Sequence, residues 1–104
     1  MAFKVQFTAA ARNDLIETTD YLQANAPEYA ARWLDGVLVT VRSLQEMPSR
    51  HGLIAEANRL GRSLRGLIYK SHRIIYEVDE SAQTVTIIRV YHYSRAPLGL
   101  EDLE

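Results

Sequence analysis

Leu64-Arg65-Gly66-Leu67-Ile68-Tyr69-Lys70, then Ser71-His72-Arg73-Ile74-Ile75-Tyr76-Glu77-Val78, then Thr84-Val85-Thr86-Ile87-Ile88-Arg89-Val90-Tyr91-His92-Tyr93-Ser94-Arg95 are the runs that decide the fold. They are dense in Val, Ile, Thr and Tyr, residues that fit a pleated, half-buried surface. The polar segment Asp79 to Gln83 separates the last two runs and has the length of a hairpin loop. Ser71 and His72 mark a tighter turn ahead of Arg73. The stretch therefore predicts three consecutive antiparallel strands. Its cationic and aromatic side chains are the candidates for chemistry.

Upstream, Phe3-Lys4-Val5-Gln6-Phe7 alternates apolar and polar residues and predicts a short strand. Thr8 is a good N-cap for the helix formers Ala9-Ala10-Ala11. A first helix is expected from about Ala9 to Ala24. Ala11, Leu15 and Leu22 form its apolar stripe, Ile16 widens it, and Asp14, Glu17 and Asp20 lie on or beside the wet face. Asn25 suits a left-handed C-terminal position, and Pro27 suits the first turn of a second helix. That helix is expected to run to Glu46, with Ala30, Trp33, Val37, Val41 and Leu44 along one face, and to be ended by Pro48. Trp33 belongs to this stripe, so it is expected in the core. The short join makes the two helices an antiparallel hairpin.

Pro48 to Gly61 has no clear period and is expected to be a loop with one helical turn around Ile54 to Ala57. Pro97 and Gly99 break any strand beyond Arg95. The acidic end, residues 99–104, is expected to be a mobile or partner-docked tail following a domain spanning 1–98. The order is strand, helical hairpin, three-stranded antiparallel meander: an α+β fold, with the helices on one face of the sheet and the other face open as a site.

At 104 residues the chain is long enough to bury one core without covalent staples. It contains no cysteine, which excludes disulfides and thiolate metal sites. His51, His72 and His92 have no metal-ligand spacing, so neither metal nor cofactor is expected. The N-terminus has no signal-peptide pattern, and no apolar run approaches the roughly 20 residues of a membrane span, so a cytoplasmic protein with no membrane partner is expected. The net charge of −1 is unevenly distributed. Arg50, Arg59, Arg62, Arg65, Lys70 and Arg73 face a single local anion, Glu56, while the flanking thirds are acidic. A basic segment on a near-neutral chain suits one specific anionic contact better than bulk nucleic-acid affinity.

Several marks together resemble the ParE/RelE superfamily of toxins from bacterial type II toxin–antitoxin, or plasmid stabilisation, systems. They are Val5-Gln6-Phe7-Thr8-Ala9-Ala10-Ala11, Ala31-Arg32-Trp33-Leu34, Leu64-Arg65-Gly66, His72-Arg73-Ile74-Ile75-Tyr76-Glu77-Val78, and Arg89 through Leu98. The resemblance covers Phe3 to Leu98 and implies a RelE/ParE-like fold and a cognate antitoxin as partner. It also implies one of two targets. RelE-like members are similar to ribonucleases that cut mRNA in the ribosome, whereas ParE-like members poison DNA gyrase. The long hairpin and the ending His92 to Leu98 look more like ParE. Arg73 matches the nucleases' phosphate-clamping arginine, and Tyr91-His92-Tyr93 resembles a catalytic nuclease ending, although here the chain continues past it.

Metal-free RNA cleavage needs a base, a cation at the crowded phosphate and an acid for the leaving oxygen. On the nuclease reading Arg73 is the clamp, His92 the acid, Tyr93 a base-stacking platform and Glu56 the base. On the gyrase reading the chain is no enzyme, and Arg59, Arg62, Arg65, Lys70 and Arg95 are contacts to target or partner. A decayed toxin that only binds its partner is a third reading. A protein working inside the ribosome benefits from a strongly cationic surface, which this near-neutral chain lacks, so the gyrase reading is preferred.

Overall fold

The computed structural model describes residues 2–95 and 97–103. Ala96 of the His92–Leu98 ending and Glu104 of the acidic tail lie outside the described residues. The elements follow the expected order: β1 (Lys4–Phe7), α1 (Ala9–Asn25), α2 (Pro27–Arg42), a short α3 (Ala57–Leu60), β2 (Arg65–Tyr69), β3 (His72–Asp79) and β4 (Thr84–His92). β2, β3 and β4 form the antiparallel meander, and β1 adds in parallel to β4, giving the sheet order β1-β4-β3-β2.

Local chemistry sets most boundaries. The Thr8 hydroxyl accepts from the Ala11 amide at 3.0 Å, the expected N-cap. Asn25 remains helical and bonds back to the Tyr21 carbonyl, so the predicted left-handed position is absent, and Ala26 makes the break instead. α2 stops at Arg42, and the chain tightens into a 3-10 turn over Ser43–Gln45. Met47 then takes a left-handed conformation, and Pro48 starts a second 3-10 turn. The helical turn predicted at Ile54 to Ala57 lies three residues later, where Gly61 at φ 67° supplies its left-handed C-cap. The β2–β3 turn is Lys70-Ser71, with Lys70 left-handed, which places His72 inside the strand. In the β3–β4 loop the Asp79 carboxylate accepts from Ser81 and Ala82, and Gln83 is left-handed.

Trp33, Val37 and Val41 of α2, with Leu44 of the 3-10 turn that follows it, pack against Ile74, Tyr76, Val85 and Ile87 of the sheet. Trp33 is 2% exposed, as its stripe predicted. α1 seats less deeply. Ile16 does not widen its buried face but points to solvent, whereas Asp14, expected on the wet face, is 6% exposed.

A bulge explains Asp14. β4 carries one extra residue, Ile88, opposite the Ile75–Tyr76 junction. The bulge falls where β1 ends and α1 begins: β1 pairs with β4 only as far as Ile87, and Thr8 donates to the carbonyls of Ile87 and Ile88. Beyond that point the β4 edge has no strand neighbour among the described residues. Asp14 takes over, accepting from the Val90 amide at 2.9 Å and from both Arg89 Nε and Nη2 at 2.7 and 2.8 Å. Buried carboxylates persist when paired and hydrogen-bonded in this way.

The second face of the sheet is not open. Ile75, Ile88 and Tyr91 pack there against Leu60, Leu64 and Leu98 in a separate core. The covering material is the connector containing α3 and the C-terminal segment, two stretches too irregular for periodicity to have placed. The residues from Leu98 to Leu103 contribute to this cover. Leu98 is fully buried, and Arg89 donates to the Asp102 carboxylate at 3.1 Å.

Candidate functional site

The sheet register decides which candidate side chains can meet. Residues directly opposite one another across antiparallel strands share a face. Ile68 pairs with Arg73, and Arg73 with Tyr91; His72 pairs with His92. The row Ile68–Arg73–Tyr91 therefore lies on the connector face. His72 and His92 lie on the helical face, where the His72 ring meets Trp33 edge-on. Arg73 and His92, joined in the nuclease scheme, thus point to opposite sides of the sheet.

On the connector face an open cleft of about 770 Å³ is lined by the Gly52–Glu56 loop, by Tyr93, Arg95 and Pro97, and by Gly66, Ile68 and Arg73 of the sheet. Gly66 is required there, because a Cβ would meet Ile54 Cγ2 at 2.6 Å. Arg73 does not present an empty fork to the cleft. Its two terminal nitrogens donate to Glu56 Oε2 and Oε1 at 2.7 and 2.9 Å. Glu56 also accepts from the Leu98 amide at 3.0 Å, and Arg59 donates to the Leu98 carbonyl at 2.6 Å. One buried carboxylate thereby ties the connector, β3 and the C-terminal segment together.

The ionisation of this carboxylate follows from its bonds. Those to Arg73, aided by that from Leu98, outweigh burial and hold Glu56 down at about 2. The same partner raises Arg73 above the usual arginine range. A carboxylate this acidic is a poor proton acceptor near neutrality. Beside it Tyr91 is ringed by cations: the Arg73, Arg89 and Arg95 guanidinium carbons lie 5.8, 5.6 and 4.9 Å from its ring centroid. Burial nonetheless keeps the Tyr91 hydroxyl protonated, raising its pKa.

The basic segment is largely engaged in holding the fold. Arg62 pairs with Glu77 at 2.8 Å, Arg65 donates to the His51 carbonyl at 2.7 Å, and Arg50 donates to the Ser43, Glu46 and Met47 carbonyls just beyond α2. Arg95 and Lys70 have no hydrogen-bond acceptor among the described residues; each lies against a tyrosine ring, Tyr91 and Tyr69 respectively. Tyr93 is 56% exposed at the cleft mouth and is held by a bond from its amide to the Ser71 carbonyl.

On the helical face a second cavity of about 400 Å³ opens between Tyr21, Tyr29, Trp33, His72 and His92. His92 Nδ1 accepts from the Ser94 amide at 3.1 Å and lies 2.7 Å from the Ser94 hydroxyl. The amide bond places the proton of the neutral ring on Nε2. Burial and the nearby His92 lower the pKa of His72, whose Nδ1 is buried without a partner. Among the described residues no group of three His, Cys, Asp or Glu is arranged to hold a metal.

Sequence reasoning missed Asp14, Tyr91, Asp102 and Leu98 as organising residues. Arg89 alone carried a signal, since a guanidinium between Ile88 and Val90 requires a buried partner.

The family model for the ParE toxin of type II toxin–antitoxin system, parDE, matches residues 5–97. Among solved structures, the chain is similar to one from the chromosomal ParDE system of P. aeruginosa. The TM-score is 0.73 at 19% identity, over 88% of this chain and 96% of that one. It is also similar to one from the RelBE2 toxin–antitoxin complex of Mycobacterium tuberculosis, with TM-score 0.63 and 23% identity over 91% and 95% of the two chains. No curated protein matches it.

Proposed function

The chain belongs to the ParE toxin family of type II toxin–antitoxin systems, and from that premise we propose that it is a toxin neutralised by a cognate antitoxin and acting on DNA gyrase by contact, without turnover. The observation that carries the choice of mechanism is the register. Arg73 and His92 lie on opposite faces, and the Arg73 fork is closed on Glu56. General acid, base and phosphate clamp must converge within hydrogen-bond reach of one phosphate to cut RNA. Here the base candidate is neutralised by the clamp candidate, and the acid candidate is across the sheet. The near-neutral net charge of −1 also suits a protein target better than the ribosome.

An antitoxin partner agrees with the similarity to chains from two toxin–antitoxin systems. Its role is tested by growth. Induced expression of this chain alone should arrest growth, and co-expression of the neighbouring open reading frame should restore it. Harmlessness at high expression would remove the toxin reading and leave a chain that only binds.

A further inference from the structure

We propose that His72 is a proton-operated pin on the helical face: neutral, its ring holds the start of β3 against Trp33 of α2, and protonated, it releases that contact. His72 stands directly opposite His92 across β3 and β4. The two ring centroids are 5.5 Å apart, and the His72 ring meets the Trp33 indole edge-on at 5.1 Å. His92 is fixed in turn, because the Ser94 amide donates to its Nδ1. His72 Nδ1 has no such anchor: it is buried and has no partner among the described residues. A neutral imidazole tolerates this site with its proton on Nε2, since only a lone pair is then left empty. A second proton turns Nδ1 into a buried donor, on a charged ring, with nothing to receive it.

The surroundings do not supply the missing acceptor. α1 brings Asp14, Glu17 and Tyr21 to this side of the sheet, and Asp14 is already committed to Arg89 and the Val90 amide. Glu17 lines the same cavity as His72 and accepts from Asn13. α2 brings Tyr29 beside Trp33, β2 brings Tyr69 opposite His72, and the turn brings Lys70. Phenols carry no charge near neutrality, so the groups that act on His72 are the two carboxylates of α1 and the cations Lys70 and His92. Burial and the nearby His92 outweigh the pull of Asp14 and lower the pKa of His72. A folded-state value below the unfolded 6.5 means that the pin holds fully above about 6.5 and is lost as pH falls through the lower folded value. The charged ring reaches an acceptor only by turning from Trp33 into the cavity, towards water and Glu17.

Trp33 is the only tryptophan of the chain, so its emission reports this contact. The test follows that emission, and the His72 Cε1 proton resonance, on the full chain from about pH 8 to about pH 5, the range in which imidazoles titrate. Glu56 stays ionised throughout, so its own titration does not interfere. The emission should move to the red with the same midpoint as the His72 resonance, and that midpoint should lie below 6.5. His92→Gln should raise the midpoint by about 0.5 in pH, the scale of two charges at the ring spacing in bulk water. His72→Phe keeps a ring against Trp33 with no proton to take, and its emission should not change over the range. A His72 midpoint at or above 6.5, an emission that stays constant while His72 titrates, or the same red shift in His72→Phe would each overturn the pin. Should His72→Phe not fold, the wild-type resonance and the His92→Gln midpoint decide the matter.

Discussion

Replacing Glu56 with Gln should cost the fold about 2–3 kcal/mol at pH 7, and the cost should disappear in acid. The carboxylate is 7% exposed, takes both Arg73 nitrogens and the Leu98 amide, and is held at about 2 against an ordinary value of 4.5. At 1.36 kcal/mol per pKa unit, the depression corresponds to roughly 3 kcal/mol. A glutamine oxygen can still accept from Leu98, but its amide faces the Arg73 guanidinium and leaves that charge unpaired. Arg73 retains 20% exposure, which places the loss below the 3–5 kcal/mol of breaking a fully buried pair. A folded-state value depressed below the unfolded one contributes stability that is fully present above about 4.5 and is lost as pH falls towards about 2. Urea unfolding of both proteins from pH 7 down to pH 2 should show a difference that is widest at neutrality, narrows below about pH 4.5 and nearly closes by about pH 2. A difference below about 0.5 kcal/mol at pH 7, or one independent of pH, would refute the role given to the Glu56 carboxylate.

Trp33→Ala should cost about 3–5 kcal/mol, because the indole fills the core between α2 and the sheet; a native emission spectrum typical of exposed indole would contradict that placement. Asp14→Asn should lower the urea midpoint by the equivalent of about 2–3 kcal/mol, since it leaves Arg89 with Asp102 alone. An exposed acidic control, Glu17→Gln, should change the midpoint by less than about 0.5 kcal/mol.

The legible part of the fold is what periodicity and punctuation encode. The α2 stripe, the Thr8 cap and the alternating strands are local signals, and each gave its element within a few residues. The connector face was not legible, because Ala57, Leu60 and Leu98 are brought together by the chain's path rather than by a repeat. Asp14 was misplaced for a related reason: its partner lies 75 residues away on a bulged strand. The bulge also separates neighbours on β4, placing Ile87 and Val90 with the helices and Ile88 and Tyr91 with the connector. Arg73, Glu56, His92 and Tyr93 could be named from sequence as candidates, but which pairs meet depends on register, and a slip of one residue reverses the answer. The charge excess from Arg50 to Arg73 looked like a free cationic surface, whereas most of its guanidinium groups bond to the chain itself.

The proposed action on gyrase by contact is tested by one reaction set. Purified protein is added to gyrase with plasmid DNA, and in parallel to a translating extract carrying a labelled mRNA. Contact poisoning of gyrase gives lost supercoiling, accumulation of cleaved DNA and an intact message. Cleavage of the mRNA with gyrase unaffected, slowed about 10²-fold or more by Arg73→Ala, would contradict it.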